Sequence, residues 1–291
     1  MSTAVPINAA GSSSKTLAEP LIRAPQAQST RRTRWWVEVL AIVWLCWVYD
    51  AITNFAPLRV HLALAHARGV LDLERSLHLD PELSLDRWLA GHHTLGLLLS
   101  DYYDNAHFIV TLGLLGWLWW RRADIYRPLR NCLVLVNVFG FIVFWLYPVA
   151  PPRMLPGFAD IVASTHAIGS WHTGALASHA NELAAMPSLH IAWAGWCTIA
   201  LWQISDRRSV RALASAYPLL TAFAVLSTGN HFVLDILGGL LVLVLAVVVV
   251  GALERRRVGA RPLGGRRSEA HWPLIGPRTA CHKLVTKSKT G

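Results

Sequence analysis

Long apolar runs alternate with short polar or basic segments along most of the chain. A helix needs about 20 mostly apolar residues to cross a membrane. Six runs come close to that length or exceed it, at about 35–55, 95–120, 131–147, 187–204, 212–226 and 231–253. The pattern therefore predicts an all-α fold, a polytopic membrane protein built as a bundle of six transmembrane helices.

Between the later runs, we predict basic cytoplasmic loops at 121–130 and 204–211 and a polar outer loop that extends to about Ala185. The remaining segments are of two kinds. Residues 56–92 mix Leu and Ala with charged side chains, which predicts one or two amphipathic helices on the membrane surface between spans 1 and 2. Residues 1–34 are predicted to be a disordered cytoplasmic tail, and residues 254–291 a basic cytoplasmic tail. The six-span membrane domain, at 35–253, is the part that we expect to carry catalysis.

Composition and charge fit a membrane protein better than a soluble one. Only 15% of the residues are charged, against about 25% in soluble domains, and the chain has 14 Trp residues, a type enriched at membrane interfaces. The net charge of +10 does not indicate nucleic-acid binding, because 22 of the 27 Lys and Arg residues fall in segments predicted to be cytoplasmic. By the positive-inside rule, both termini lie in the cytoplasm of a multi-pass cell-membrane protein. The basic tails can also contact anionic membrane lipids. Four cysteines without a Cys-x-x-Cys pair indicate neither a disulfide framework nor a zinc site.

This topology brings four polar residues to one membrane depth, at the non-cytoplasmic ends of the spans: Arg153, His190, His231 and Asp235. His231 and Asp235 are four residues apart, so they share a helix face, and a carboxylate on one imidazole nitrogen leaves the other basic. His190 follows Pro187-Ser188, a helix start whose free N–H groups can bind phosphate. Each feature alone also has a simpler structural role. His231 and Asp235 could be a capping pair, His190 an ordinary interfacial histidine, and Arg153 a contact for lipid head groups. Their coincidence at one depth favours a site.

Two spacings match a known family. Pro187-Ser188-Leu189-His190 fits Pro-Ser-x-His, and the segment from Gly229 through His231 to Asp235 fits Gly-x-His-x-x-x-Asp. On these motifs, residues 35–253 resemble the type 2 phosphatidic acid phosphatase superfamily, within it the branch of inositol phosphorylceramide synthases. The stretch ending in Arg153, and the group of Tyr102, Tyr103 and His107, also look like this branch. Leu189 stands where the phosphatases have Gly, and Val225 where they have Arg, which favours the transferase-like branch.

The resemblance implies a double displacement on a lipid phosphate ester, without metal or other cofactor. His231 would attack phosphorus and form a phosphohistidine, Asp235 would fix its tautomer, and His190 would be the general acid and base. Arg153, Ser188 and Asn230 would bind the phosphate. Tyr103 and His107 are candidate contacts for the head group, although a helix–helix hydrogen bond inside the bundle is the preferred role for His107. The acceptor would be water, inositol or another polyol.

Two other classes of protein remain open on the sequence. A metal-dependent membrane hydrolase could use His190, His231 and Asp235 as two imidazoles and one carboxylate. A non-catalytic scaffold or a transporter is the other alternative. Transporters show internal repeats and polar residues at midplane, whereas this chain has no repeat and its polar cluster lies at one end of the spans.

Overall fold

The computed structural model describes residues 33–54, 59–165 and 183–259, and this part of the chain contains ten α-helices and no β-strand. The helices are α1 (Trp35–Asn54), α2 (Val60–Ser76), α3 (Glu82–Ala90), α4 (His93–Asp101), α5 (His107–Arg121), α6 (Ala123–Leu146), α7 (Ile161–Thr165), α8 (Leu189–Ile204), α9 (Arg208–Ser227) and α10 (Val233–Gly259). A π-helical turn, Tyr102–Ala106, joins α4 to α5. Most of both predicted tails and part of the predicted outer loop, residues 166–182, lie outside the described residues.

Three helices in the described ranges, α6, α9 and α10, are long and apolar enough to cross a membrane, and α1 contains a shorter apolar stretch, Trp35–Val48. The all-helical fold expected from the sequence is thereby confirmed, and the three long apolar helices support a membrane protein. The count of six spans, the surface position of residues 56–92 and the orientation of the termini stay predictions.

The third apolar run belongs to a longer helix than its pattern predicts. The basic stretch 121–130 was expected to be a loop, but α6 begins at Ala123, so that only Arg122 separates it from α5. Pro128 lies in the second turn of α6, where its ring removes one intrahelical hydrogen bond close to the helix start. Polar residues flanking a span are thus compatible with a continuous helix.

The main core lies where α5, α6, α8 and α10 pack around Trp196, whose indole N–H donates to the carbonyl of Leu129 at 2.8 Å. Helix α10 approaches α8 closely because it carries glycine at the contact. A Cβ built on Gly239 would lie 2.3 Å from the carbonyl oxygen of Ser188. Small residues allow such close approach between membrane helices. This contact sets the spacing between the starts of α8 and α10.

A second apolar cluster lies beside the starts of these helices. It joins α2 to the chain around Val149, Leu155 and Ala185 and to Phe232, which is fully buried. The amphipathic segment after α1 forms two helices, α2 and α3, and their buried faces carry Glu74 and Glu82 as well as apolar side chains. This segment therefore packs against the loops that precede α8 and α10.

Candidate active site

Three loops distant in sequence meet at the starts of α8 and α10, and backbone hydrogen bonds hold them together. The amide of Ala185 donates to the carbonyl of Val149 at 3.1 Å, and that of Arg153 donates to Gly229 at 2.8 Å. The amide of Ser188 donates to the carbonyl of Asp235 at 2.9 Å. The four polar residues that the predicted topology placed at one depth therefore lie in one region.

His231 has a defined tautomer. Its Nδ1 lies 2.8 Å from the carbonyl oxygen of Ala185 and 3.4 Å from Oδ2 of Asp235. A carbonyl oxygen can only accept, so Nδ1 carries the proton and Nε2 of the neutral ring has the lone pair. Nε2 lies 3.4 Å from Nδ1 of His190. The nearly buried ring thus presents an unprotonated nitrogen to the second histidine, as a nucleophile requires.

Asp235 is the third residue of α10 and is fully buried. Its Oδ2 accepts from the backbone N–H of Phe232 at 2.8 Å, so the carboxylate caps the start of the helix and also faces His231. His231 itself precedes the helix by two residues, whereas the i, i+4 spacing was interpreted as a pair on one helical face. The contact forms nevertheless, because the carboxylate folds back over the helix start.

The ring of His190 lies between two residues that were candidates for head-group binding. Tyr103 stacks on it with ring centroids 4.5 Å apart, and His107 meets it edge-on at 4.3 Å. Nδ1 of His107 donates to the carbonyl of Tyr103 at 2.9 Å. Both residues belong to the π-helical turn and its junction with α5, and such turns occur frequently at functional sites.

Arg153, on the loop after α6, is held by hydrogen bonds against the loop that carries His231. Its Nη1 donates to Oδ1 of Asn230, its Nε lies 3.7 Å from Asp160, and the Asn230 amide donates to the hydroxyl of Thr228 at 2.7 Å. Asn230 therefore orients Arg153. The turn before it requires Gly229, whose φ is +64° and whose added Cβ would lie 3.3 Å from Cβ of Arg153.

Ser188 lies apart from the other predicted site residues. Its side chain is fully buried, its hydroxyl meets no hydrogen-bond partner among the described residues, and it does not line the cavity described below. The next residue, Leu189, fits against α6, where a Cβ on Gly140 would lie 2.7 Å from the leucine side chain. The position where the phosphatases have Gly thus accepts Leu because α6 supplies a glycine opposite it.

A cavity of about 890 Å³ opens beside the two histidines. His190, His231, Arg153, Asn230, Tyr103 and His107 line its polar end. From there it continues between α1, α5 and α6 along mostly apolar side chains, as far as Glu38 and Arg130, which form an ion pair at 2.7 Å. Its wall on α6 extends from Phe144 to Arg130, about 21 Å at the rise of an α-helix.

Three kinds of contact were missed from the sequence. The carbonyl of Ala185 binds His231, and a backbone group leaves no residue-type signal. Glu74 and Glu82 accept from the first two amides of α10, but charged residues in an amphipathic segment are expected to face solvent. Asp104 lines the cavity and is nearly buried; an acidic residue in an apolar run is a signal that could have found it.

The described residues contain no group of three His, Cys, Asp or Glu side chains arranged to hold a metal ion. In comparisons with known proteins, the family model described as the PAP2 superfamily matches residues 68–249, well over half of the chain. No curated protein and no solved structure matches significantly. The match contains both motifs, the π-helical turn and the loop that carries Arg153.

Proposed function

The chain belongs to the PAP2 superfamily, which indicates a phosphatase-type enzyme of lipid phosphates, and on that premise we propose a membrane phosphotransferase that works through a phosphohistidine. The observation that carries this proposal is the tautomer of His231. Its Nδ1–H donates to the carbonyl of Ala185, so that the lone pair of Nε2 lies beside His190 and the cavity.

In the first step, Nε2 of His231 attacks phosphorus as the bond to the lipid oxygen breaks. His190, in its protonated form, gives its proton to the leaving oxygen. The substrate phosphate enters between Nε2 of His231 and Nδ1 of His190, which are 3.4 Å apart before it binds. In the second step, neutral His190 takes the proton of the acceptor hydroxyl, whose oxygen attacks the phosphohistidine and releases Nε2.

Two hydrogen-bond acceptors lie close to the His231 ring, which becomes positively charged during turnover. The Ala185 carbonyl and the Asp235 carboxylate both face Nδ1, at 2.8 and 3.4 Å. A hydrogen-bond acceptor at Nδ1 stabilises the imidazolium and so favours attack by Nε2. We assign Asp235 this electrostatic role alongside its role in capping α10.

Arg153 is the cation that we assign to the phosphoryl oxygens. Its side chain is mostly buried and lines the cavity beside His231, and Asn230 fixes its orientation. The start of α8 lies at the same end of the cavity, and first-turn backbone N–H groups bind phosphate. Ser188 and Asn230 were predicted to contact phosphate; we propose that they act instead by setting α8 and Arg153.

The shape of the cavity supports a substrate with a hydrocarbon chain. Its mostly apolar wall on α6, about 21 Å long, corresponds to two thirds of the hydrocarbon core of a bilayer, which is about 30 Å thick. Leu189 and Val225, where the phosphatases have Gly and Arg, favour transfer to a polyol such as inositol over transfer to water alone. We further propose six spans, with both termini cytoplasmic and this site at the outer face.

The test uses purified full-length protein with phosphate-labelled lipids, in the presence and absence of inositol. Transfer predicts a labelled inositol phosphate product, whereas hydrolysis alone predicts free phosphate. Acid-labile, base-stable label on the protein after a brief quench would identify the phosphohistidine. The matched control is His231→Ala, which should take up no label. Turnover without any labelled protein, under quench conditions that trap intermediates, would contradict the proposed mechanism.

A further inference from the structure

Two glutamates from the segment between α1 and α4 cap the helix that follows His231. Glu82 accepts from the amide of Val233 at 2.9 Å, and Glu74 accepts from that of Leu234 at 2.6 Å. These are the first two amides of α10, which have no acceptor within the helix. Both side chains are fully buried, although they come from helices 151 and 160 residues earlier in the chain.

The two carboxyl groups are neighbours, because they accept from consecutive amides of α10, at 2.9 and 2.6 Å. The Oε2 atoms of both meet no hydrogen-bond donor among the described residues. The acidic groups that face the pair, Asp235 on α10 and Asp80 in the turn before α3, add negative charge. Two adjacent buried carboxylates repel each other, and one proton held between them removes the repulsion and gives an Oε2 atom its missing partner.

We propose that Glu74 and Glu82 form a carboxylic acid pair that holds one proton and positions His231 by fixing the start of α10. His231 is two residues before that start, and Asp235 is in its first turn, so displacement of Val233 or Leu234 moves both groups. This inference rests on the proposed role of His231 in turnover. Neither glutamate touches the cavity, so both are positioning residues.

The protonation of the pair gives it a signature in pH. Burial, together with the charge of Glu82, raises the pKa of Glu74 to about 9, and burial also raises the pKa of Glu82. A carboxyl whose folded-state pKa is raised stabilises the fold fully below its unfolded pKa, and this contribution is lost as the pH rises through the folded pKa. The cap should therefore weaken between about pH 4.5 and pH 9.

The experiment compares Glu74→Gln and Glu74→Ala in the full-length protein in detergent. Glutamine keeps an oxygen for the amide of Leu234 and places an N–H donor near Glu82, so it imitates the protonated carboxyl at every pH. Alanine removes the acceptor of the Leu234 amide and the carboxyl that neighbours Glu82. The matched control is Asp72→Asn, which removes one negative charge from the exposed face of the same helix.

We expect Glu74→Gln to keep kcat within about threefold of the native protein at pH 7 and Glu74→Ala to lose at least tenfold. The ratio of Glu74→Gln to native kcat should rise about tenfold between pH 8 and pH 10, as a group of pKa about 9 loses its proton. The difference in Tm between Glu74→Gln and the native protein should widen from pH 5 to pH 9. The difference between Asp72→Asn and the native protein should show no such trend.

The Tm comparison separates failure of this inference from failure of the proposed function, because it needs no turnover. Identical pH dependence of Tm in the native protein, Glu74→Gln and Asp72→Asn would overturn the shared proton. If Tm shows the expected pH dependence but Glu74→Ala keeps native kcat, the proposed positioning of His231 is wrong. A protein that turns over no lipid phosphate, but shows the expected Tm pattern, would refute the proposed function and leave the acid pair standing.

Discussion

Replacing Gly239 with alanine should damage catalysis more than stability. The added Cβ would lie 2.3 Å from the carbonyl oxygen of Ser188, whereas ordinary contacts begin at about 3.4 Å. The oxygen cannot rotate away, because it accepts from the amide of Ala192 in the first turn of α8. The starts of α8 and α10 must therefore move apart by about 1 Å, the difference between these two distances.

That displacement separates the two proposed catalytic histidines, since His190 is two residues after Ser188 and His231 is on the α10 side. A misplacement of about 1 Å can cost on the order of 10²-fold in rate, so we expect kcat for Gly239→Ala to fall by roughly that factor. The net loss of stability should be at most about 2.5 kcal/mol, below the roughly 2.7 kcal/mol that a 10²-fold loss in rate represents. Overpacking costs about 1–3 kcal/mol, and replacing a helical glycine by alanine returns about 0.5–1 kcal/mol.

The assay measures kcat on a lipid phosphate and Tm for a graded series of variants. Gly116→Ala is the matched control, because a Cβ at that helical position meets no atom within 4 Å; it should keep native kcat. Gly238→Ala, whose Cβ would lie 3.2 Å from Cβ of Pro187, should fall between the two. Native kcat for a folded Gly239→Ala, or equal losses in all three variants, would refute the link between this helix contact and the site.

Four further predictions follow from the proposed mechanism and topology. His190→Ala should lose about 10³–10⁴-fold on a lipid substrate but recover partly on a nitrophenyl phosphate ester, whose leaving group needs little protonation, whereas His231→Ala should not recover; the reverse pattern in initial rates would exchange the two roles. Activity should survive EDTA, and full loss restored by one divalent ion would favour the metal-dependent alternative. Single cysteines in a cysteine-free background should be labelled from outside intact cells at 154–185 and not at 204–211; external labelling at 204–211 would contradict a common outer face. Ala41→Trp, in the apolar part of the cavity, should lower kcat/KM for long-chain lipids more than for short-chain ones, and an equal change for both would argue against a chain in this cavity.

The sequence predicted the all-helical fold and named His190, His231 and Asp235 as candidate site residues, because both kinds of signal are local. Apolar runs of span length identify the helices, and the two motifs have fixed spacings around His190 and His231. Helix ends were less accurate. The predicted loop at 121–130 is mostly the start of α6, because flanking arginines are as compatible with a helix as with a turn.

The remaining contacts could not be predicted because they join distant parts of the chain. The acceptor nearest to Nδ1 of His231 is a backbone carbonyl, and any residue type could supply it. Asn230 is a residue type that can bind phosphate, but its Oδ1 accepts from Arg153 and its Nδ2 donates to Thr228. The carboxylates that cap α10 come from a segment whose charges predict exposure to solvent. Tertiary packing decides each of these cases.

The hydrogen bonds from the α10 start to Glu74 and Glu82 also constrain the order in which the protein matures. They join residues 160 and 151 positions apart, so they form only after nearly the whole membrane domain has been synthesised. Contacts of such high sequence separation form late, because the intervening chain must first be ordered. His231 therefore reaches its acceptor on Ala185 at the end of assembly, and a chain halted before α10 would contain Arg153 and His190 but lack the proposed nucleophile.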